Sequence, residues 1–246
     1  MNAVERQKRI QELLTGKDFM SVEDLSGVLQ ASMATIRRDL TALEESGVLT
    51  RYRGGAVLSA NGAKKALNIE LRMDQNREVK ERIARKAAAL IKDGEIIFID
   101  SSSTTYYMID YILARDVTVV TNAIVLPAVL MQKNIRTYML GGFIDTNCNC
   151  VLGESVTSQI KNMSFSKCFI GTYAVEENRG FTTYEMAEAN LKTLLLQSSR
   201  ESFVLADWTK FNAKGFINYA PLDAATIITD KMPENPGAYP KLLIAE

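Results

Sequence analysis

Apolar positions along the first sixty residues recur at helical spacing and are separated by short polar breaks. Val4, Ile10, Leu13 and Leu14 form a stripe that predicts a helix from Ala3 to Thr15, with Gly16 as its stop. Ser21-Val22-Glu23-Asp24 has the form of a capping box with Asp in the place of Glu or Gln, and it opens a second helix with Val22, Leu25, Val28 and Leu29 on its buried face. Gln30-Ala31 makes a tight break. Ser32 then caps a third helix that ends before Gly47, with Ile36, Leu40 and Leu43 on one narrow core face and Ala34, Arg37, Arg38 and Thr41 on the opposite side. Leu49–Tyr52 and Ala56–Leu58 read as two short strands around Arg53-Gly54-Gly55, a hairpin with arginine beside flexible glycines at its tip.

From Glu95 onward the period changes. Strand-length apolar runs occur at Ile96–Asp100, Val117–Thr121, Arg136–Leu140, Lys167–Gly171, Phe203–Ala206 and Ala225–Thr229. Helical patterns at Glu78–Leu90, Tyr106–Leu113, Ile124–Met131 and Glu185–Ser199 lie before and between them, which predicts an open, mostly parallel α/β sheet. The expected organisation is a helical domain over residues 1–58, a linker over 59–76 and an α/β domain over 77–246. In such sheets ligands bind beyond the carboxyl ends of the strands. Those ends carry Asp100 followed by Ser101-Ser102-Ser103-Thr104-Thr105, then Asn122, Gly141-Gly142, Asp207-Trp208-Thr209-Lys210 and Asp230.

Composition narrows the functional classes. Of 246 residues 47% are apolar and 24% charged, enough to bury a core, and 29 basic side chains balance 29 acidic ones, so bulk charge selects no polyanionic partner. Residues 59–93 are the basic part of the chain. Histidine is absent, which removes Ser-His nucleophiles, His general bases and His-containing metal sites. The three cysteines make no disulfide framework, and the charged start lacks an apolar signal core, so a reduced, cytoplasmic protein is expected. No apolar run approaches the roughly 18 residues of a membrane span. Cys148 and Cys150 form a Cys-x-Cys pair without further ligands; they read as ordinary thiols, close enough in sequence to respond together to oxidation. No metal and no cofactor are expected.

Two amphipathic helices joined by a turn, the second presenting Thr and Arg near its start, match helix-turn-helix geometry, and the following hairpin has the form of a wing. A small helical interaction domain with solvated arginines fits the same pattern. In the second domain, a strand running into a Ser/Thr-rich helix start directs hydroxyls and backbone N–H groups at one point, as an anion such as phosphate requires, and an ordinary N-cap uses the same residues. Lys192 and Lys210 offer positive charge, although a lone lysine is usually solvated and Glu188 with Lys192 at i,i+4 is also a surface pair. An enzyme reading, a sugar-phosphate isomerase or deaminase with an appended helical domain, would draw its acid and base from Asp100, Glu176, Asp207 and Asp230.

Ser32-Met33-Ala34-Thr35-Ile36-Arg37-Arg38-Asp39-Leu40, then Leu43-Glu44, Gly47, Leu49, Arg51 and Gly54-Gly55-Ala56, resembles the signature of the DeoR family of bacterial transcription regulators. The resemblance continues through Asp100-Ser101-x-Ser103-Thr104-Thr105, Thr121-Asn122, Leu140-Gly141-Gly142, Glu188-Ala189-x-x-Lys192, Asp207-x-x-Lys210-Phe211 and Thr229-Asp230. It implies a winged helix-turn-helix joined to a sensor domain similar to ribose-5-phosphate isomerase. It also implies a repressor whose partners are operator DNA and a phosphorylated sugar effector.

On that resemblance the residues expected at DNA are Ser32, Thr35, Arg37, Arg38, Thr41, Arg51 and Arg53. Those expected at the effector are Asp100, Ser101, Ser103, Thr104, Thr105, Asn122, Gly141, Gly142, Lys192, Asp207 and Lys210, and no catalytic residue is implied. Three positions depart from the family pattern: Arg53 stands where His is usual, Ser102 where Gly is usual, and Gly171–Glu176 replaces a Gly-Ala-x-Gly-Ile-Asp type stretch. Paired operator half-sites call for a homodimer or homotetramer.

Overall fold

The computed structural model describes residues 2–15, 20–46, 48–52, 55–58, 73, 76–145 and 148–246. The chain divides into two compact units, residues 1–68 and 69–246. The expected linker, Arg53 and the stop at Gly16 fall largely or wholly outside the described residues.

In the first unit α1 spans Ala3–Leu14, α2 Val22–Leu29 and α3 Met33–Glu45. Each starts on a side chain that takes up an otherwise unpaired helix N–H: Asn2 accepts from the Glu5 amide, Ser21 from that of Asp24 at 3.0 Å and Ser32 from that of Thr35 at 3.2 Å. Asn2/Glu5 and Ser21/Asp24 are full capping boxes. Gln30 ends α2 in the left-handed region at φ 49°. Ile10, Leu14, Leu25, Leu29, Ile36, Leu40 and Leu43 close one core. Val4 and Val28, expected on buried faces, are exposed instead. Each lies six residues from a buried partner, Ile10 or Val22, and at 3.6 residues per turn that places it about 240° around the helix. Strands β2 (Leu49–Tyr52) and β3 (Gly55–Leu58) pair antiparallel as the wing, and β3 also pairs with a two-residue strand β1 (Met20–Ser21), too short to leave a pattern in the sequence.

The second unit is a three-layer α/β/α arrangement. Its sheet contains β4 (Ile96–Ile99), β5 (Thr118–Thr121), β6 (Arg136–Met139), β9 (Phe165–Gly171), β12 (Ser199–Leu205), β14 (Thr226–Thr229) and β15 (Leu242–Ile244). The spatial order is β15-β14-β12-β9-β4-β5-β6, and every adjacent pair is parallel. Both faces of the central strands are covered, so these read as continuous apolar runs, while the edge strand β6 is largely exposed. Ile97, Ile99, Val119, Phe169, Phe203, Leu205 and Ile228 pack with α4 (Arg77–Ala88) and α6 (Leu126–Gln132). Phe98, Val120, Cys168, Ile170, Val204 and Ile227 share the other core with α7 (Glu154–Ile160) and α8 (Met186–Gln197). A β-strand alternates its faces with period two, and Ile97, Phe98 and Ile99 divide between the cores accordingly.

The helix expected at Tyr106–Leu113 is a short α5 (Ser103–Tyr106) followed by a 3-10 turn over Tyr107–Tyr111. Five further elements carry no reading from the sequence: β15, α7, and the strands β10 (Ala174–Glu176), β11 (Gly180–Thr183) and β13 (Ile217–Ala220) of a small antiparallel sheet. A hairpin of β7 (Ile144–Asp145) and β8 (Cys150–Val151) completes the set. Among the described residues no helix is long and apolar enough to cross a membrane.

Candidate functional site

In the first unit, α3 turns Ile36, Asp39, Leu40 and Leu43 inward, the i, i+3, i+4, i+7 positions of one face. Ser32, Ala34, Arg37 and Arg38 are exposed on the other side, and Thr35 and Thr41 are half-buried. Several of these polar groups have structural duties. The Ser32 and Thr35 hydroxyls are 2.9 Å apart at the cap, the Thr41 hydroxyl donates to the Arg37 carbonyl at 2.9 Å, and the Arg51 guanidinium donates to the Thr41 hydroxyl at 2.6 Å. The Arg51 amide donates to Glu44 at 3.0 Å, which ties the wing strand β2 to α3. Arg37 and Arg38 therefore form the outward cationic surface, with Arg51 beside Thr41 at its edge. Asp39 is a residue that the sequence reading passed over. It is buried at 4% exposure and receives Arg6 Nε at 2.5 Å, Arg6 Nη2 at 3.2 Å and Gln7 Nε2 at 3.3 Å, so it fixes α1 against the recognition helix. The Asp39 hydrogen bond holds the Arg6 guanidinium above its ordinary pKa.

In the second unit, parallel pairing brings the carboxyl ends of the strands to one rim in the order Asp230, Asp207, Gly171, Asp100, Asn122, Gly141. Strands β4, β5 and β6 run outward in one direction, and β9, β12, β14 and β15 in the other. The switch point of the topology is thus the β4/β9 pair, where doubly wound sheets open a crevice. Asp100 and Gly171 meet there: Asp100 Oδ2 accepts the Gly171 amide at 2.8 Å, and Oδ1 accepts the Ser102 amide at 3.0 Å and the Thr105 hydroxyl at 2.8 Å. A side chain on Gly171 would run into Ser102, whose Cβ lies 2.5 Å from the position that a Cβ would take. Ser102 caps α5, with its Oγ accepting the Thr105 amide at 3.3 Å, while Ser103, Thr104 and Thr105 are buried and Ser101 is half-buried.

Lys192 is not a solvated surface lysine. It is buried at 4% exposure and its Nζ donates to the Gly171 carbonyl at 2.6 Å and to Glu188 Oε1 at 2.7 Å, with Asp100 Oδ2 at 4.0 Å. Burial lowers its pKa, but the surrounding Glu188, Tyr219 and Asp100 outweigh that and raise it above the ordinary lysine value. Tyr219, behind the ammonium, is pushed up to about 12 by burial. Glu188, on the exposed side of the pair, also accepts the Thr183 hydroxyl at 2.5 Å. Glu188, Gly171 and Ser102 are thus site residues beyond those the sequence reading selected. The i,i+4 spacing to Lys192 was the available signal for Glu188.

The flanks of the rim are ordered separately. Asn122 is buried, its Nδ2 donates to the Val151 carbonyl at 3.1 Å, and its Oδ1 has no protein partner. Gly141 is clamped by the Gln159 amide, which donates to its carbonyl at 2.8 Å. Gly142, at φ 151°, lies so close to Ser155 and Val151 that a Cβ would overlap both. Asp207 is buried and caps the 3-10 turn Trp208–Asn212, accepting the Thr209 amide at 3.0 Å, and Asp230 accepts the Trp208 amide at 2.8 Å. Lys210 sits half-buried on that turn. At about 4.8 Å per strand, Asp207 stands about 10 Å along the rim from Asp100. Glu176 accepts the Thr182 hydroxyl at 2.8 Å and the Gly215 amide at 3.1 Å; burial opposes its charge, but these bonds and Arg179 hold its pKa below the ordinary value. All four carboxylates considered as acid or base therefore hold at least one backbone or side-chain donor, while Asp230 Oδ2 is buried without a partner.

A winged helix-turn-helix on one unit and a doubly wound sheet with a polar switch point on the other define a DNA-binding regulator with a sensor domain. Residues 6–61 match the DeoR-like helix-turn-helix domain and residues 75–231 match the DeoR C-terminal sensor domain. The chain belongs to the DeoR family of transcriptional regulators. It is 35% identical over 232 residues to the HTH-type transcriptional regulator FruR of Bacillus subtilis, covering 92% of this chain and 90% of that protein. It is 33% identical to the HTH-type transcriptional repressor GlcR of the same organism, over 93% of this chain and 89% of that one. A lactose phosphotransferase system repressor of Staphylococcus aureus is 30% identical, over 93% of this chain and 92% of its own length. Among solved structures, ribose 5-phosphate isomerase A from Methanocaldococcus jannaschii superposes with a TM-score of 0.41 at 20% identity, over 56% of this chain and 55% of that one.

Proposed function

We propose that the protein is a cytoplasmic repressor of a sugar-metabolism operon, released from its operator by a phosphorylated sugar bound at the β4/β9 switch point. The observation that carries this reading is the buried Lys192 ammonium, held between Asp100, Glu188 and the Gly171 carbonyl beside the Ser101–Thr105 helix start. Two carboxylates already surround that one ammonium, so its charge is spent locally. The phosphate is better served by the hydroxyl and N–H donors of Ser101, Ser103 and Thr104, with Thr105 and Asp100, bonded to each other, shaping the loop beneath them, and the sugar hydroxyls by Glu188. Asn122 offers an amide, Gly141 and Gly142 a close backbone approach, and Asp207 with Lys210 the outer end of a ligand that spans about 10 Å. On the DNA side, Arg37 and Arg38 contact bases or phosphates, Ser32 and Thr35 approach the backbone from the cap of α3, and Thr41, Arg51 and Arg53 extend the contact toward the wing.

The name of the lactose phosphotransferase system repressor supports a role in sugar metabolism, and that of GlcR a role as a repressor. A homodimer or homotetramer presents two readers to paired half-sites. The effector acts by differential affinity for two arrangements of the protein, only one of which fits the operator. Sensing rather than catalysis is favoured because Asp100, Glu176, Asp207 and Asp230 are already engaged as acceptors.

The test is fluorescence anisotropy on DNA upstream of the protein's own operon, at one stated salt concentration, with and without a panel of phosphorylated sugars. Selective binding relieved by one sugar phosphate is the expected result. No preference over random duplex would overturn the DNA reading, and turnover of a sugar phosphate lost in Asp207→Asn would overturn sensing without catalysis.

A further inference from the structure

Cys148 and Cys150 lie at the tip and on the returning strand of the β7/β8 hairpin, where Asp145 pairs with Cys150. Their sulfurs are 2.8 Å apart, longer than the about 2.05 Å of a disulfide bond but already in direct contact. Cys150 is buried at 1% exposure and Cys148 is half-buried, so Cys148 gives the pair its opening to solvent. The hairpin is fastened to the rim: Cys150 bridges to Ala123, the Val151 amide donates to the Asn122 carbonyl at 2.8 Å, and the Ile124 amide donates to the Asn149 carbonyl at 3.2 Å. The Ser101 hydroxyl is close enough to Cys150 to favour its thiolate. The dithiol therefore touches two loops of the rim, 101–105 and 121–124.

We propose that Cys148 and Cys150 are a redox modification site, at which hydrogen peroxide forms an intrachain disulfide that resets the 101–105 and 121–124 loops. One sulfur of the pair, as thiolate, attacks the peroxide; the O–O bond breaks, water leaves and a sulfenic acid remains. The second thiol attacks that sulfur, the S–S bond forms, the S–O bond breaks and a second water leaves, so two thiols lose two electrons and two protons to one peroxide. A hydrogen bond from the Cys148 thiol lowers the pKa of Cys150 against the opposing effect of burial, and the same bond raises that of Cys148, so one partner ionises while the other keeps its proton. Oxidation removes the thiolate that Ser101 favours and draws Cys148 toward Cys150, whose strand is bonded to the 121–124 loop. The consequence for effector affinity rests on the function proposed above; the disulfide and the loop change do not.

The test is mass spectrometry and hydrogen exchange on the full chain, reduced and after graded peroxide. Cys148 and Cys150 share the tryptic peptide 137–161, while Cys168 follows Lys167 in another. The expected result is that peptide 137–161 becomes lighter by two hydrogens and resists alkylation while Cys168 still alkylates, a dithiol reductant reverses the change, and exchange in 101–105 and 121–124 rises several-fold on oxidation. Cys148→Ser, with Cys150→Ser as the second variant, removes both responses. The proposal is overturned if both thiols stay alkylatable up to the peroxide level that oxidises methionine, or if the disulfide forms and exchange in the two loops does not move. A reduced chain that binds no sugar phosphate would strike the function proposed above and leave these readouts intact.

Discussion

At the scale of single residues, charge placement distinguishes surface from site. Arg37 and Arg38 point outward from α3, so Arg37→Ala or Arg38→Ala should weaken operator binding by about 1–3 kcal/mol where the side chain reads a base or a close phosphate. Anisotropy titrations at fixed salt measure this, and unchanged affinity in both variants would remove α3 from the interface. Lys192 has the opposite character. Lys192→Ala takes the cation from buried Asp100, 4.0 Å away, and from Glu188, which is 36% exposed and partly screened by water, so the cost should fall below the about 3–5 kcal/mol of a fully buried pair. Urea unfolding of the variant should show that loss, and a stability within error of the parent would mean that Lys192 is dispensable to the sensor core.

Single residues were also where the sequence was least legible. Arg37 and Arg38 were readable because they oppose an apolar face. Lys192 was ambiguous because a lysine at i+4 from a glutamate looks the same on a surface helix as beneath a sheet rim; only the approach of β9 decides it. Asp39 had a signal, since it falls at i+3 from Ile36 on the core face, but Arg6, its partner, lies 33 residues away and left none.

At the scale of elements, local chemistry did most of the specifying. Asn2, Ser21 and Ser32 open their helices in the structure, and Ser21 and Ser32 were read as caps from the sequence because a side chain that satisfies a helix N–H is a local event. The long parallel strands were legible for the same reason, as apolar runs. β1, β7 and β8 have two residues each and carry no period, while β10, β11 and β13 become strands only by pairing with one another, so their origin is tertiary. Ser102 joins both kinds of information: it caps α5 and fills the space beside Gly171. Ser102→Ala should cost about 1 kcal/mol through the lost cap, and Ser102→Gly only a few tenths. Gly171→Ala should lower the melting temperature more than either, because its Cβ would overlap Ser102. A calorimetric series over the three variants checks the order, and an undisturbed Gly171→Ala would mean that the loop is looser than its contacts indicate.

At the scale of the whole molecule, the sheet consists of two contiguous stretches of chain joined at one seam. Within the first stretch, Ile96 pairs with Thr118 and Thr118 with Arg136, closing loops of about twenty residues, whereas the Asp100–Gly171 bond across the seam spans 71. Longer loops close at greater entropic cost, so the β4/β9 pairing should form late in refolding. Stopped-flow refolding in the presence of the effector should recover binding only in the slowest phase; binding that returns with the earliest secondary structure would contradict this order.

The same seam has a consequence for the protein's own synthesis. The matched DNA-binding domain ends at residue 61, while the sheet of the sensor domain cannot close its seam until Gly171 has been added. Each newly made chain therefore passes through an interval in which a DNA-binding domain is attached to a sensor domain whose seam is still open, and that seam can close only within the last third of synthesis.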